Sequence, residues 1–365
     1  MIQYNRADHW SRGTTGGVNL LSKYKTSCLG LLAGLAISVA GIGGVMAQGS
    51  GSATLDAVKG RGQLLCGIAG NVPGFSLPDS QGVMRGLDAD TCRAVTAAAL
   101  GDAAKVKFVA TTTQNRFTAL QSGEVDLLSR STTWTLGREG NLGLEFAWVN
   151  YYDGTGFLAK KSSGVKSAKE MDGATICVQP GTSTELAIND YFRLNKMKFT
   201  PILIQDLSEI QGAFLSGRCD AYSTDASALA TFRFSQGPKA DDLVLLPEII
   251  SKEPLGAMVR KGDDKWFDIV RWTFIAMITA EEKGITHANV DSFMNSTDPD
   301  VRRLLGLEGD MGKALALDNK WAYNVIKAVG NFGEMWDRDI TPMGVPRGIN
   351  NIWTKGGLQY APPIR

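Results

Sequence analysis

The feature that most constrains the fold is an alternation of short strands and helices that occurs twice along the chain. The first series has strand patterns at 62–68, 104–110 and 125–129 and helical patterns at 87–100 and 115–123. The second series has strand patterns at 174–179, 199–205 and 219–225 and helical patterns at 180–195 and 207–217. A helix between two strands returns the chain so that consecutive strands run parallel. We therefore predict two α/β lobes of about 100 residues each, both with a mostly parallel sheet flanked by helices.

The chain after the second series is predicted to be mainly helical. A long apolar helix is expected at 266–283, followed by an irregular insertion at 289–318. A last helix is predicted at 321–338, with one apolar face formed by Trp321, Val325, Ala328 and Val329. The proline-rich tail, 357–365, is expected to lie extended on the surface.

Residues 1–47 differ from the rest of the chain and predict a signal peptide. An apolar run at 28–47 follows two lysines, and Val45 and Ala47 occupy the −3 and −1 positions that a signal peptidase accepts. Cleavage is therefore expected before Gln48, with export of the mature protein. A membrane anchor is the alternative, but the run is barely long enough to span a bilayer and no charged residue follows it to stop transfer.

Composition narrows the range of functions. Charged residues make up 21% of the chain, the formal net charge is +1, and no basic block occurs. A nucleic-acid partner would need a clustered basic surface, so none is expected. No Cys-x-x-Cys pair or histidine spacing typical of a metal site occurs, so we expect no metal and no cofactor.

Four cysteines follow the signal peptide, namely Cys66, Cys92, Cys177 and Cys219. An even number of cysteines in an exported protein is typical of disulfides, and four cysteines allow three connectivities. Pairing by region favours Cys66 with Cys92 and Cys177 with Cys219. Four buried free thiols are the alternative.

Six stretches, taken in order, carry a resemblance to a known family. They are RFTALQSGEVDLL (116–128), TTWTLGRE (132–139), PGTSTE (180–185), SGRCDAYSTDAS (216–227), LPEIISKEPLGAMVRKGDD (246–264) and GGLQYAPPIR (356–365). From about residue 52 to its end, the chain resembles the substrate-binding proteins of polar amino-acid ABC transporters, the family 3 solute-binding proteins. Within that family it looks most like the general L-amino-acid-binding periplasmic component.

The resemblance implies a fold, a location and partners. The fold would be the type II periplasmic-binding-protein fold, in which two α/β lobes are joined by two crossing strands and close on a ligand. Lobe 1 would comprise 53–156 and 255–365, and lobe 2 would comprise 157–254. The protein would be a periplasmic monomer that binds L-amino acids and delivers them to the permease subunits of an ABC transporter in the inner membrane.

The segment 127–139, LLSRSTTWTLGRE, ends in an arginine preceded by several hydroxyl residues. A guanidinium offers two parallel N–H donors that match a carboxylate, and hydroxyls can fill the remaining lone pairs. The resemblance implies that Ser131, Thr133 and Arg138 hold the α-carboxylate of the ligand. The alternative is that Arg138 forms a surface ion pair. Many relatives have an acidic residue where this chain has Gly137, which would loosen how the arginine is held.

The second series supplies the other expected contacts. Thr182 and Glu185 fit a capping box, so a helix should begin there, with Glu185 as a cap. The resemblance places Ser183 on the ligand, and Gly181 would let the backbone approach closely. It also places the carboxylate of Asp225 on the α-ammonium. The rival for that role is Asp220, which should face the other side of the strand and support the loop.

A ligand held by both Arg138 and Asp225 would bridge the two lobes and favour their closed arrangement.

The residues that would recognise the side chain of the ligand are less defined by the sequence. Asn71, Phe75 and Gln179 are expected to line the pocket, although ordinary loop packing would also explain them. No acidic or basic residue stands out as dedicated to one ligand side chain, which fits a broad specificity.

Two other functions remain open from the sequence. Some exported proteins of this fold are dehydratases that act on small carboxylates, and others are sensors that report to a membrane receptor. An enzyme would need an acid or base, and His287, which lies outside the motifs, is the only histidine after the signal peptide. We therefore expect a binding protein and no catalytic residue.

Overall fold

The computed structural model describes residues 49–365, so the predicted signal peptide lies outside the described residues. The helices are α1 (Ala53–Arg61), α2 (Leu87–Leu100), α3 (Arg116–Ser122), α4 (Leu136–Asn141), α5 (Ser183–Leu194), α6 (Leu207–Ser216), α7 (Ala226–Ser235), α8 (Asp264–Glu282), α9 (Pro299–Leu304), α10 (Met311–Ala314), α11 (Trp321–Val329) and α12 (Phe332–Asp339). The strands are β1 (Leu64–Ile68), β2 (Leu77–Pro78), β3 (Met84–Arg85), β4 (Val106–Ala110), β5 (Leu127–Thr133), β6 (Leu144–Asp153), β7 (Thr155–Lys160), β8 (Ala174–Val178), β9 (Phe199–Leu203), β10 (Ala221–Asp225), β11 (Leu243–Leu245) and β12 (Glu253–Arg260).

Two five-stranded sheets organise the described chain, and β2 and β3 form a separate small hairpin. The first sheet has the order β4-β1-β5-β12-β6, and the second has the order β11-β7-β10-β8-β9. In the first sheet β1 runs parallel to β4 and β5, whereas β12 is antiparallel to β5 and β6. In the second sheet β8 runs parallel to β9 and β10, whereas β7 is antiparallel to β10 and β11. In each sheet one strand, β12 or β7, therefore runs opposite to the other four.

The chain passes between the two sheets at two adjacent places. β6 ends in the first sheet at Asp153, and β7 begins in the second sheet at Thr155. The return runs into β12, whose first residue, Glu253, pairs with Asp153. Gly154 lies at the first crossing, where an added Cβ would come within 2.2 Å of the Ile249 side chain. The crossings join two lobes, each built on one sheet, which is the two-lobed fold of periplasmic binding proteins.

Helix α8 anchors the core of the first sheet. It begins after Asp263, whose carboxylate accepts the backbone N–H of Trp266 at 3.1 Å, an N-cap contact. Trp266 and Phe274 are buried in one large apolar cluster that also includes residues of β1, α2 and the C-terminal helices. The second sheet has separate apolar clusters, centred on Phe157 and Phe214. Each sheet thus has its own core.

The predicted single helix at 321–338 is wrong, because the structure has two helices there. Gly330 adopts φ +92°, which ends α11, and Asn331 starts α12 in a capping box with Glu334. The predicted apolar face is also wrong in one position. Trp321, Val325 and Val329 are buried, whereas Ala328 is exposed.

The insertion and the tail are more structured than the sequence predicts. The insertion at 289–318 contains α9 and α10, and residues such as Val301 and Leu304 are buried in the core of the first sheet. In the tail, Gln359 is fully buried and is bonded to the edge strand β6. Its amide donates to the Val149 carbonyl at 3.0 Å and accepts from the Trp148 indole at 3.1 Å. The tail is therefore fixed to β6, and only part of it lies free on the surface.

The structure has two disulfides, and they follow the pairing by region. Cys66–Cys92 joins β1 to α2, with a Cα–Cα distance of 6.0 Å. Cys177–Cys219 joins β8 to the residues just before β10, with a Cα–Cα distance of 5.6 Å.

None of the helices between residues 49 and 365 has the length and apolar character that a membrane span requires.

Candidate functional site

A cavity of about 270 Å³ lies between the two sheets and brings most of the predicted ligand contacts together. The first-sheet side contributes Asn71, Phe75, Ser131, Thr133 and Arg138, and the second-sheet side contributes Gln179, Ser183 and Asp225. These side chains come from β5, from the loops that follow β1 and β8, and from the starts of α4, α5 and α7. Since the carboxyl ends of parallel strands meet at one edge of a sheet, segments far apart in sequence converge there.

Gly181 is the one predicted contact that does not line the cavity. It adopts φ +73°, and its N–H donates to the Glu185 carboxylate at 2.8 Å. The helix start itself is as predicted, because the Thr182 hydroxyl accepts the Glu185 N–H at 3.1 Å. The first N–H groups of α5, at Ser183 and Thr184, have no partner within the helix, and both residues line the cavity.

Arg138 is held by neutral groups. Its N–H is accepted by the Thr135 hydroxyl at 3.2 Å, and its guanidinium donates to the Thr133 carbonyl at 2.7 Å. The guanidinium carbon also lies 5.4 Å from the centre of the Phe117 ring. Burial lowers the pKa of Arg138, while Glu253 and Asp225 oppose that shift. The carbonyl and the ring therefore orient the arginine.

The hydroxyls of Ser131, Thr133 and Ser183 are already engaged. Ser131 donates to Asp88 at 2.8 Å, and Ser183 donates to Glu253 at 2.7 Å. Thr133 Oγ1 lies 3.0 Å from Ser183 Oγ. Because a hydroxyl has one proton and Ser183 gives its proton to Glu253, Thr133 must be the donor to Ser183. A new donation from Ser131 or Thr133 to a ligand carboxylate would require that hydroxyl to rotate.

Asp225 lies on the second-sheet side of the cavity, and Asp153 and Glu253, at the crossings between the sheets, are near it. Burial, with Asp153 and Glu253 nearby, raises the pKa of Asp225 well above its usual range, and Arg116 and Arg138 only partly offset this. A ligand ammonium at Asp225 would stabilise its ionised form. Asp220, the rival, accepts from the N–H and hydroxyl of Thr175 at 2.7 and 2.6 Å and does not line the cavity.

Two cavity residues that the sequence interpretation missed are Arg116 and Arg130. The sequence interpretation singled out no charged residue as dedicated to a ligand side chain, and these two arginines line the space where that side chain would lie. Arg116 is the first residue of α3, and Arg130 lies in β5 beside Ser131. Both break a local pattern, because a cation at a helix start opposes the helix dipole and a charge inside a strand is unusual. Those irregularities were the signal that could have identified them.

Two lobes enclose a cleft that has arginines on one side and Asp225 on the other. This arrangement defines a solute-binding protein. The chain belongs to the bacterial extracellular solute-binding proteins, family 3, whose family model matches residues 64–285.

Curated relatives extend the match to most of the chain. It is 55% identical over 325 residues to the glutamate/glutamine/aspartate/asparagine-binding protein BztA of Rhodobacter capsulatus, which covers 88% of this chain and 96% of that protein. It is 51% identical over 326 residues to the general L-amino acid-binding periplasmic protein AapJ of Rhizobium johnstonii, covering 88% and 95%. A solved structure, an ABC transporter periplasmic binding protein from Brucella ovis with glutathione bound, is 50% identical with a TM-score of 0.83, covering 86% and 99%.

Proposed function

We propose that the protein binds free L-α-amino acids in the cavity between its lobes and delivers them to an ABC transporter permease. The observation that carries the proposal is a cavity between the sheets with Arg138 on the first-sheet side and Asp225 on the second-sheet side. Those two groups complement the carboxylate and the ammonium that every free amino acid carries. The names of the relatives, which include glutamate- and general L-amino-acid-binding proteins, support the same ligand class.

In this proposal Arg138 binds the α-carboxylate, with the N–H groups of Ser183 and Thr184 at the start of α5 as further donors. Asp225 binds the α-ammonium. A ligand held by both sheets stabilises the arrangement in which the lobes meet. We assign 53–156 and 255–365 to lobe 1 and 157–254 to lobe 2, because the chain crosses between the sheets close to those boundaries.

The specificity is proposed to be broad. Every contact assigned above is to atoms that all amino acids share, so different side chains can occupy the rest of the cavity. Asn71, Phe75 and Gln179 line that remaining space. Polar and apolar groups together suit a pocket that accepts several ligands with different affinities.

The setting follows from the family. We propose that the protein is exported with cleavage before Gln48, works in the periplasm as a monomer and meets the permease in the inner membrane. We also propose that it catalyses no reaction. The one histidine in residues 49–365, His287, does not line the cavity, and its ring is bonded to the Lys327 carbonyl on the surface.

The test is calorimetric titration of protein that has been unfolded and refolded to remove carried ligand. Several unlike L-amino acids should bind with micromolar or lower Kd, about −8 kcal/mol or better. Arg138→Ala should abolish all of them alike. Arg271→Ala is the matched control, because that guanidinium also donates to a backbone carbonyl, at 3.0 Å, but lies outside the cavity.

Three results would contradict the proposal. The first is that no amino acid binds, and the second is that Arg138→Ala binds as well as the unchanged protein. The third is that a candidate ligand is converted to a product during incubation, which would point to an enzyme.

A further inference from the structure

Arg116 and Arg130 line the cavity, yet no ligand group has been assigned to them. Arg116 is 3% exposed, and its Nε has no hydrogen-bond partner among residues 49–365. Arg130 uses its Nε to donate to the Thr111 carbonyl at 3.0 Å. No ion pair in the described part of the chain includes either residue or Arg138. The basic wall of the cavity, formed by Arg116, Arg130 and Arg138, is therefore not neutralised by direct contact with the protein's own carboxylates.

The charges of this wall exceed what an amino-acid backbone can neutralise. Burial lowers the pKa of Arg116, and it lowers the pKa of Arg130 to about 10. A guanidinium keeps its proton in proteins, so both side chains are charged at neutral pH. Asp88 favours the charged form of Arg130, while Arg138 opposes it. The α-carboxylate of a ligand would pair with Arg138 and its ammonium with Asp225. Arg116 and Arg130 would still lack a partner, and a buried unpaired charge is unfavourable.

Structural roles explain these arginines incompletely. The Arg116 guanidinium carbon lies 4.7 Å from the centre of the Phe117 ring, which is a favourable packing contact. That contact gives the buried Nε–H no acceptor, and a cation at the first residue of α3 lies at the positive end of the helix dipole. For Arg130, one bond to a carbonyl uses one of five donors. An anion in the cavity would satisfy the remaining donors of both.

We propose that Arg116 and Arg130 form a second carboxylate subsite, so that ligands with a carboxylate beyond the amino-acid backbone bind preferentially. The inference rests on the proposed function, because it assumes that Arg138 and Asp225 bind the backbone groups. The second carboxylate can come from the side chain of an acidic amino acid or from the far end of a small peptide. Neutral amino acids bind the same cavity with lower affinity.

The experiment compares ligands of nearly equal shape and different charge. Kd values are measured by calorimetry for L-glutamate against L-glutamine and L-aspartate against L-asparagine, with glutathione as a peptide that has a distant second carboxylate. In the unchanged protein each acid should bind at least about tenfold more tightly than its amide, as expected for a charge-assisted bidentate contact. Glutathione binding comparable to glutamate would identify peptides as an additional source of the carboxylate, and its absence would restrict the source to acidic side chains.

Substitution then assigns the subsite to its residues. In Arg130→Met and in Arg116→Met the Kd of glutamate should rise about tenfold or more, whereas the Kd of glutamine should change by less than about threefold. Arg130→Lys keeps the positive charge but loses the two parallel N–H donors of the guanidinium, so it should retain part of the preference for glutamate over glutamine. Arg271→Met is the control, because its guanidinium also donates to a carbonyl outside the cavity, and both Kd values should stay unchanged.

Equal Kd values for acid and amide in the unchanged protein would overturn the inference, as would an equal loss of both in the variants. Either result leaves the proposed function intact. If no amino acid binds the unchanged protein, the proposed function fails instead. Should Arg116→Met not fold, as judged by its circular dichroism and thermal unfolding, Arg130→Met alone decides between these outcomes.

Discussion

The hydroxyl of Ser183 joins the two sheets, and its removal is expected to weaken binding of every ligand by the same factor. Ser183 lies at the start of α5 beside the second sheet, while Thr133 and Glu253 belong to strands of the first. Its hydroxyl donates to Glu253 at 2.7 Å and accepts from Thr133, 3.0 Å away. We expect both contacts to separate when the lobes open, so that they stabilise the closed arrangement alone.

The size of the effect follows from the contacts that are lost in Ser183→Ala. A hydrogen bond to a charged group contributes about 1.5–3 kcal/mol. The other oxygen of Glu253 still accepts hydrogen bonds from the hydroxyls of Ser251 at 2.6 Å and Thr155 at 3.3 Å, so the carboxylate is not left without partners. A loss of about 2 kcal/mol in the closed state corresponds to a Kd increase of roughly 30-fold when the open state dominates without ligand.

The assay is calorimetric titration of Ser183→Ala with L-glutamate and L-glutamine, combined with small-angle X-ray scattering of the ligand-free protein. Both Kd values should rise by the same factor, and the radius of gyration should not fall below that of the unchanged protein. Ser216→Ala is the control, because its hydroxyl donates to Ala213 within its own helix, at 3.0 Å. An unchanged Kd, or a loss confined to one ligand, would refute the reasoning.

Two further predictions concern the first-sheet side of the cavity. Burial raises the pKa of Asp88 from 3.8 to about 6. Between these two pH values the folded state keeps a proton that the unfolded state releases. The contribution of this proton to the free energy of unfolding is fully present below about pH 4 and is lost as the pH rises through 6. The free energy of unfolding of Asp88→Asn, measured in urea relative to the unchanged protein, should therefore rise by about 2–3 kcal/mol from pH 4 to pH 7. An equal difference between the two proteins at both pH values would contradict this. Gly86 has φ +115°, and an added Cβ would lie 2.4 Å from the backbone of Phe75, which lines the cavity. Gly86→Ala should lower the free energy of unfolding by about 2–4 kcal/mol and weaken ligand binding, whereas Gly82→Ala, at φ +78° with nothing within 4 Å, should lose only about 1–2 kcal/mol. Equal losses would show that the contact with Phe75 is unimportant.

Local signals predict most of the elements that carry the site. α2 spans Leu87–Leu100, the same range that its apolar spacing predicts, and α5 begins after Thr182, where the capping pattern predicts it. Such signals depend on neighbouring residues, so they can be read without the fold. They fail where a local break competes with periodicity, as at Gly330, which divides a continuous apolar pattern into two helices.

The candidate site is predictable in part for the same reason. Local signals place Arg138, Ser183 and Asp225 near the ends of strands and the starts of helices, the resemblance implies that they contact the ligand, and all three line one cavity. The engagement of the Ser131 and Thr133 hydroxyls is not predictable, because Asp88 and Ser183 approach from 43 and 50 residues away. Arg116 and Arg130 escaped notice because a strand or helix pattern does not tell which cavity a charged side chain enters.

The amino-acid sequence by itself determines the two α/β series, the starts of helices such as α2, α6 and α11, and a favoured pairing of the four cysteines, since each depends on residues that are close along the chain. Only the tertiary structure decides that β12 returns between β5 and β6 and that Gln359 meets Trp148, 211 residues away. It also decides that three arginines share one cavity. Periodicity reports whether a side chain is buried, whereas its neighbours depend on how the sheets pack and where the chain crosses between them.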